Sequence, residues 1–277
     1  MGRPLFNRVC IVGVGLIGGS LGMAIKKRRL ARTVIGVVRK KSAIEKAFRR
    51  KALDAATLDL KKGVAGADLV ILCGPVSVIV SQLKALSRLL DKKTIVIDVG
   101  SSKKCIGEAA KKFLKKNTFV GCHPMAGSEK SGIENARAGL FRGAVCFLAS
   151  RNRVVEIFWK ALGAQPVNLD ARRHDQWAAK VSHLPHVLSF VLLQALERPV
   201  DKKFDLNPSF KELARLAKSR PGIWSDILLT NSEALLDALR SFRKDLDAFE
   251  RGLRARGGAD LVRLIAKANS NAAKIVP

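Results

Sequence analysis

Tyrosine is absent from the sequence, and aromatic residues make up only 5% of its 277 residues. No tyrosine phenol can therefore act as an acid, a base or a stacking platform. Cysteine is sparse and forms no CxxC pair of the kind found in redox motifs and zinc sites. The five cysteines are Cys10, Cys73, Cys105, Cys122 and Cys146. Separated thiols in odd number are typical of reduced cysteines in the cytosol, so we expect a cytoplasmic protein without a metal site.

Long hydrophobic runs are also missing. The most apolar stretch in the second half of the chain, residues 181–196, contains two histidines and a proline and is too short to span a bilayer. The first predicted strand begins near Arg8, which leaves no room for a signal peptide before it. We therefore expect neither a membrane segment nor a secretory leader.

Acidic residues are scarce, because the chain has 23 of them against 51 lysines and arginines, a formal net charge of +28. Such a field attracts anionic ligands and favours contact with nucleic acid or anionic membranes. The basic residues are spread over almost every segment, however, without an aromatic ladder or a nucleic-acid-binding motif. We interpret the charge as a solvated surface that attracts anions, with a nucleic-acid-binding role as the alternative.

Short apolar runs alternate with amphipathic stretches over the first 170 residues, which predicts a parallel sheet covered by helices on both faces. Strands are predicted at 8–12, 33–38, 68–73, 94–99, 118–122, 144–148 and 165–169, and helices at 15–27, 42–51 and 154–162. After Asp170 the patterns are helical, at 171–196 (broken or bent near Pro185), 210–218, 223–254 and 260–271. We therefore expect an α/β domain over residues 1–170 and an all-helical domain over residues 171–277.

The segment VCIVGVGLIGGS places Gly13, Gly15 and Gly18 in GxGxxG spacing, between an apolar run and a helical pattern. The first glycine permits a tight turn, the second lets the backbone approach a pyrophosphate, and the third lets the helix pack closely on the strand. Leu16 and Ile17 begin that helix, whose free N–H groups and positive dipole end favour phosphates. The motif in this context predicts dinucleotide binding.

The second predicted strand ends without the carboxylate that an NAD-specific domain of this kind uses. That Asp or Glu lies about 20 residues beyond the glycine motif and binds the ribose 2′-hydroxyl. Here Val38 takes its place, and no carboxylate occurs between Gly18 and Glu45. The residues that follow are Arg39, Lys40, Lys41 and Ser42. Because this cluster suits a 2′-phosphate, we predict NADP as the cofactor. The alternative is that these cations are only solvated and that the cofactor is NAD.

Four motifs occur along the chain in a fixed order: GLIGGSL (15–21), DVGSSK (98–103), HPMAGSEKSG (123–132) and SHLPH (182–186). Together with a looser match at 210–224, they closely resemble the prephenate/arogenate dehydrogenases. The resemblance implies a Rossmann-type dinucleotide-binding domain followed by a helical domain that forms a homodimer. It also implies oxidative decarboxylation of prephenate to 4-hydroxyphenylpyruvate in tyrosine biosynthesis, with arogenate as the alternative substrate.

The resemblance assigns roles to two residues of the α/β domain. His123 matches the family's catalytic histidine, whose neutral imidazole accepts a hydrogen bond from the C4 hydroxyl of the substrate. Ser101 matches the serine of the DVGS turn that bridges the substrate hydroxyl, the histidine and the nicotinamide. The adjacent Ser102 leaves the register of this second assignment open.

Further motif residues match the family's substrate pocket. Ser128 and Glu129 close the HPMAGSE loop, where Glu129 matches an acid that shapes or gates the pocket. His186 matches the histidine that faces the substrate, whereas His183 is expected to support the site structurally. The HxxH spacing of these two also suggests a metal pair, but the chain has only four histidines and the SHLPH context argues against a metal.

Arg215 stands nine residues before Trp224, as the family's arginine for the ring carboxylate stands before its tryptophan. A guanidinium group suits this role, since it can donate two parallel hydrogen bonds to a carboxylate. The segment departs from the family pattern, because residues 207–209 (NPS) replace a glycine-rich entry and Glu212 stands where an aspartate is usual. The departure leaves the register of Arg215 and the substrate preference open.

Two further interpretations come from other classes of protein. One is a different dehydrogenase acting on a β-hydroxy acid, which the HPMAGSE and SHLPH motifs disfavour. The other is a basic nucleic-acid-binding protein on an inactive dehydrogenase fold, which the intact acid–base and carboxylate-binding groups disfavour. No residue distinguishes prephenate from arogenate, which differ by a keto or an amino group on the side chain.

Overall fold

The first strand, β1 (Phe6–Val12), shows how the sheet is buried in the computed structural model, which describes residues 3–128, 130–195 and 207–275. Successive side chains of a strand point to opposite faces. Val9 and Ile11 lie in one hydrophobic core, and Cys10 and Val12 lie in a second. Because both faces are covered there, the sequence from Val9 to Val12 is a continuous apolar run.

Eight strands form one sheet in the order β3-β2-β1-β4-β5-β6-β7-β8. After β1 the strands are β2 (Ala31–Val37), β3 (Ala55–Thr57), β4 (Leu69–Leu72), β5 (Ile95–Asp98), β6 (Thr118–Pro124), β7 (Val145–Leu148) and β8 (Gln165–Asn168). Strands β1 to β6 pair in parallel. The α/β class and the predicted strands are confirmed, while the short strand β3 was not predicted.

The expectation of a wholly parallel sheet is wrong at its far edge. Strand β7 runs antiparallel to β6, and β8 runs parallel to β7. A parallel return requires a crossover connection, usually a helix. The described residues between 125 and 144 instead form only one short 3₁₀ helix, Ile133–Asn135. The chain therefore re-enters the sheet from the end at which it left.

Helices cover the sheet and then continue alone after β8. The first six are α1 (Leu16–Lys27), α2 (Lys41–Arg49), α3 (Leu60–Val64), α4 (Val76–Leu86), α5 (Lys104–Phe113) and α6 (Arg153–Ala161). The later ones are α7 (Ala171–Ala178), α8 (Leu184–Gln194), α9 (Pro208–Ala217), α10 (Pro221–Thr230), α11 (Ser232–Arg254) and α12 (Gly258–Ile275). Helices α3, α4 and α5 were not predicted. Among the described residues, no helix is both long and apolar enough to cross a membrane.

The chain divides into two compact units, residues 1–232 and 233–277. The last strand ends at Asn168, and the helical domain was expected from residue 171. The division into compact units therefore falls further along the chain than the predicted domain boundary, which remains a prediction. Helix α12 and nearly all of α11 make up the second unit.

Two predicted helices are interrupted. The helix expected over 223–254 breaks at Asn231, whose side-chain amide donates to the backbone oxygen of Asp175 at 2.9 Å and lies 3.1 Å from His183 Nδ1. These contacts come from distant parts of the chain and override the local helical pattern. The bend expected near Pro185 is a π-helical turn, Ala179–His183, directly before it, where the proline lacks the N–H that a regular helix needs.

The strand order places the predicted site residues along one edge of the sheet. Strands β2, β1, β4, β5 and β6 are parallel neighbours, so their carboxyl ends lie side by side. The glycine motif follows β1, the DVGS turn follows β5, and His123 lies near the end of β6. The strand order reverses between β1 and β4, which is where open sheets of this kind bind their ligands.

Candidate active site

The glycine turn after β1 leaves room for a ligand beside the start of α1. Gly13 has a φ of +95°, and a Cβ there would lie 3.0 Å from the backbone oxygen of Cys73. A Cβ on Gly18 would lie 2.1 Å from the oxygen of Gly13, whereas a Cβ on Gly15 would meet nothing within 4 Å. Gly15 is also the N-cap of α1 and supplies no side-chain cap. This turn fits a dinucleotide pyrophosphate at the start of Leu16–Lys27.

The end of β2 presents cations and no carboxylate. Val38, in the position of the expected acid, is only 5% exposed and packs in the hydrophobic core. Arg39, Lys40 and Ser42 are exposed, and Lys40 is the N-cap of α2 without a side-chain hydrogen bond. An anion placed here would meet positive side chains and the positive end of the α2 dipole.

A buried ion pair holds the turn after β5. Asp98 is fully buried and pairs with the ammonium of Lys103, which is itself 1% exposed. The Asp98 carboxylate also accepts the backbone N–H groups of Gly100 (2.8 Å) and Cys122 (3.3 Å). Burial raises the pKa of the Asp98 carboxyl, while the Lys103 charge and these hydrogen bonds oppose the rise. Separating Asp98 from Lys103 would leave an uncompensated buried charge, so the ion pair strongly favours this conformation of the turn.

The two serines of this turn differ in their surroundings. Ser102 is fully buried, and its hydroxyl lies 2.8 Å from Thr230 Oγ1. Thr230 Oγ1 donates to the backbone oxygen of Asp226 at 2.8 Å, so Ser102 is the donor to Thr230. Ser101 is partly exposed and makes no hydrogen bond to Thr230. Ser102 therefore joins the turn to α10, which leaves Ser101 as the serine available to a substrate.

His123 lies at one end of a hydrogen-bonded line of three side chains. Its Nδ1 is 2.8 Å from His174 Nε2, and His174 Nδ1 is 2.8 Å from Asp175 Oδ1. Asp175 also accepts the backbone N–H groups of Lys103 (2.7 Å) and Lys104 (2.9 Å) at the start of α5. Sequence reasoning missed His174 and Asp175, because their burial on α7 is visible only in the structure.

Burial keeps the imidazole of His123 uncharged. Desolvation is the largest cause that lowers its pKa well below the usual 6.5, followed by the nearby His174, Lys103 and His183. Each of these neighbours is positive when protonated and disfavours a second positive charge. A neutral His123 can therefore accept a hydrogen bond or a proton at the carboxyl edge of the sheet.

His183 has a structural environment. The side chain is 1% exposed, its Nδ1 faces the Asn231 amide at 3.1 Å, and its ring meets Trp224 edge-on with centroids 6.1 Å apart. Desolvation by burial lowers its pKa to about 4, although Asp175 acts in the opposite direction. A buried, neutral ring whose Nδ1 is taken by Asn231 supports the expected structural role.

Trp224, whose ring meets His183, also contacts His186, and His186 lies near the positive charge of Arg215. The His186 ring stacks on the Trp224 ring with centroids 3.6 Å apart, and its Nδ1 donates to the Ser182 backbone oxygen at 2.9 Å. Burial lowers the pKa of His186, and the positive charge of Arg215 lowers it further. Arg215 is 49% exposed and donates to Glu212 Oε2 at 2.8 Å. The His186 ring thus has Trp224 stacked against it and the positive charge of Arg215 nearby.

The loop after β6 lies at the surface. Ser128 is exposed, and its hydroxyl oxygen accepts the N–H of Lys130 at 3.1 Å, so its predicted substrate contact remains a prediction. Glu129 lies outside the described residues. Ser131 accepts a hydrogen bond from the Arg220 guanidinium at 3.1 Å, which ties this loop to the start of α10. Sequence reasoning did not single out Arg220.

In the HxxH pair, His183 Nδ1 lies 3.1 Å from the Asn231 amide, and His186 Nδ1 donates to the Ser182 backbone oxygen. Across residues 3–128, 130–195 and 207–275, no group of three His, Cys, Asp or Glu side chains could hold a metal ion.

Comparison with known proteins gives one family for both halves of the chain. Residues 21–163 match the model of the prephenate dehydrogenase nucleotide-binding domain, and residues 170–267 match that of the prephenate dehydrogenase dimerization domain. The prephenate dehydrogenase of Lactococcus lactis subsp. cremoris is 34% identical over 249 residues, which cover 87% of this chain and 70% of that protein.

Two solved structures resemble the whole chain. One is prephenate dehydrogenase from Aquifex aeolicus in complex with hydroxyphenyl propionate and NAD+, with a TM-score of 0.87, 28% identity and 99% of each chain covered. The other is the Synechocystis arogenate dehydrogenase, with a TM-score of 0.80, 30% identity, and 97% of this chain and 100% of that chain covered.

The lowered pKa values of His123 and His183 lead to a prediction about the pH at which each ring titrates. In the folded protein without ligands, we expect His183 to titrate near pH 4 and His123 to stay neutral below the ~6.5 of a free imidazole, as followed by histidine-selective NMR. The unfolded protein then binds more protons than the folded one at pH values below ~6.5, so stability should fall as the pH is lowered through this range. An inflection for His123 at or above that value in the folded protein would contradict the environment described here.

Proposed function

The chain belongs to the prephenate dehydrogenase family, and from this premise we propose that it oxidatively decarboxylates prephenate to 4-hydroxyphenylpyruvate and transfers the hydride to NADP. It is an oxidoreductase of the dehydrogenase type with a dinucleotide-binding domain. The observation that carries the proposed reaction is the partly buried His123 at the carboxyl edge of the sheet, where a strongly lowered pKa keeps its imidazole neutral.

The reaction needs a group that takes the proton of the C4 hydroxyl. His123 is that group, since a neutral imidazole accepts the hydrogen bond and raises the electron density at C4. As the C4 hydrogen leaves as hydride, the bond from C1 to its carboxylate breaks, CO2 departs, and the electron pair left in the ring completes an aromatic system. The nicotinamide, when bound, accepts the hydride. Ser101 is proposed to hold the hydroxyl in line with His123.

Arg215 is proposed to bind the substrate carboxylate, and His186 is proposed to face the substrate beside it. Arg215 is half-exposed, and its guanidinium can present two parallel donors to a carboxylate. The neutral His186 ring donates from Nδ1 to the Ser182 backbone oxygen, so its Nε2 can accept a hydrogen bond from a donor on the substrate. The excess of positive charge over the chain strengthens the attraction of a dianion such as prephenate.

Arogenate is the second candidate substrate. The Synechocystis arogenate dehydrogenase resembles this chain over its full length. Prephenate and arogenate share the ring and the ring carboxylate that Arg215 is proposed to bind. They differ only at the side chain, so the same site residues serve either reaction.

NADP is proposed over NAD because of the residues after β2. Val38 cannot accept a hydrogen bond from a ribose hydroxyl, and Arg39, Lys40 and Ser42 surround the start of α2 with donors and positive charge. The solved relative from Aquifex aeolicus contains NAD+. The preference proposed here therefore rests on the sequence of this chain at the end of β2.

A cytoplasmic homodimer is the proposed assembly. The helical segment matches a dimerization domain, and its helices expose large apolar side chains that water disfavours. Examples are Val191, Leu229, Leu236, Leu253, Val262 and Ile265. A second copy of this chain would cover such side chains.

The first activity prediction concerns His123. The unmodified protein should oxidise prephenate or arogenate in a four-way assay of each substrate with each nucleotide. His123→Asn should lower kcat by about 10²–10⁴-fold, the usual contribution of a positioned acid–base group, with little change in substrate binding. The melting temperature serves as the folding control. A near-normal kcat in a folded variant would refute the assignment.

The second concerns Arg215. Losing charge-assisted hydrogen bonds to a carboxylate should raise the KM for the substrate of Arg215→Ala by at least about tenfold, and Arg215→Lys should recover little of it. Cofactor affinity should not change. Arg240→Ala is the matched control, because Arg240 pairs with Asp237 at the same i,i+3 spacing as Arg215 with Glu212. Equal KM values for the two alanine variants would show that another cation binds the carboxylate.

The third concerns the nucleotide. The unmodified enzyme should prefer NADP to NAD by about tenfold to a hundredfold in kcat/KM, the value of charge-assisted pairing with the phosphate. Arg39→Ala should weaken NADP selectively, and Val38→Asp with Arg39→Ala should reverse the preference. Arg49→Ala, at the other end of α2, is the control. Because Val38 is buried, the stability of the double variant must be measured alongside. Higher kcat/KM with NAD in the unmodified enzyme would overturn the proposal.

The last concerns assembly. The protein at micromolar concentration should have the mass of two chains in light scattering, because the apolar helical surface is more stable when a partner covers it. A single species with the mass of one 30.1 kDa chain would exclude the proposed homodimer.

A further inference from the structure

The line from Asp175 to His174 to His123 determines which nitrogens carry protons. The Asp175 carboxylate is held by three N–H groups: the backbone N–H groups of Lys103 (2.7 Å) and Lys104 (2.9 Å), and the ring of His174 (2.8 Å). Donors that converge on a carboxylate favour its ionised form, which can only accept. The proton between Asp175 and His174 therefore resides on His174 Nδ1.

The tautomer of His123 follows from that of His174. His174 is fully buried, and burial disfavours the second proton that would charge its ring. With its single proton on Nδ1, the ring has a bare Nε2 that can only accept a hydrogen bond. The 2.8 Å contact between His174 Nε2 and His123 Nδ1 then requires His123 Nδ1 to be the donor. Because His123 is itself neutral, its other nitrogen, Nε2, is left without a proton.

Packing holds the His174 ring in the orientation that these hydrogen bonds require. The ring is fully buried and meets the edge of His123 at 5.0 Å and that of Phe147 at 5.5 Å between centroids. Phe147 lies opposite His123 in the β6–β7 pairing and packs in turn against Trp177 on α7. Turning the ring of His174 would break both of its hydrogen bonds inside the protein, where they cannot be replaced by water.

We propose that His174 and Asp175 are positioning residues that hold His123 as the Nδ1–H tautomer, so that its bare Nε2 accepts the proton of the substrate hydroxyl. The identity of that hydroxyl rests on the proposed function, whereas the tautomer does not. When Nε2 takes the proton, the hydrogen bond to His174 and the negative charge of Asp175 stabilise the positive charge on His123. Lys103 and His183, the other charged or titratable groups near His123, oppose this charge and keep the resting imidazole neutral.

The first experiment measures the tautomer directly. Histidine-selective ¹⁵N labelling of the unmodified, unliganded protein, with its four histidines assigned by single substitutions, reports which ring nitrogens of His123 and His174 carry hydrogen. The expected result is Nδ1–H on both rings above the pH at which His123 titrates. A His123 ring with its proton on Nε2 overturns the proposal.

The second experiment asks whether the line matters for turnover. His174→Leu removes the acceptor while keeping an apolar side chain of similar size, and His174→Gln keeps an acceptor oxygen near the position of Nε2. We expect His174→Leu to lower kcat by about 10–100-fold with KM little changed, by analogy with other residues that orient a functional histidine, and His174→Gln to recover most of this loss. The His123 signals of the leucine variant should show the Nε2–H tautomer.

A merely structural role gives a different pattern. Equal loss of kcat in the leucine and glutamine variants, in proportion to their loss of melting temperature, or a normal kcat in folded His174→Leu, overturns the positioning role. If the leucine variant does not fold, the tautomer in the unmodified protein and the kcat of His174→Gln decide the question. If the unmodified protein turns over neither substrate with either nucleotide, the proposed function fails, and the measured tautomer alone decides whether the hydrogen-bonded line is correct.

Discussion

The hydrogen bonds that converge on Asp175 join the parts of the molecule on which the site depends. Its carboxylate holds the start of α5 and the ring of His174, and its backbone oxygen accepts from Asn231 between α10 and α11. Asn231 in turn contacts His183 at the end of the π-helical turn. One acidic residue in a strongly basic chain thus connects the carboxyl edge of the sheet to the helices that follow the sheet.

The parallel strands supply the other half of the arrangement. Neighbouring carboxyl ends bring the glycine turn, the DVGS turn and His123 to one edge, although they are far apart in sequence. The antiparallel β7 then places Phe147 opposite His123, where it packs on His174. A site assembled in this way keeps the partly buried imidazole of His123 neutral in a chain of net charge +28, because desolvation and nearby cations both lower its pKa.

Sequence patterns predicted the strands of the sheet and most helices, because these elements depend on local alternation of apolar and polar residues. They missed β3 and α3 to α5, and they joined α10 to α11, where hydrogen bonds from Asn231 to distant residues override the helical pattern. The direction of β7 was also wrong, since it depends on the path of the preceding loop. Motif resemblance indicated His123, His186 and Arg215 as site residues, but it did not indicate the residues that hold His123.

The sequence by itself determined the glycine turn, the missing acid at Val38 and the order of the motifs, because each of these depends on residue type at a fixed spacing. Only the tertiary structure showed that Ser102 is buried against Thr230, since this is a contact across 128 positions. It also revealed the contacts of His174 and Asp175, which look like surface residues of a polar helix in the sequence. Their meaning comes from a carboxylate, two rings and two backbone amides meeting in three dimensions, and no local pattern records such a meeting.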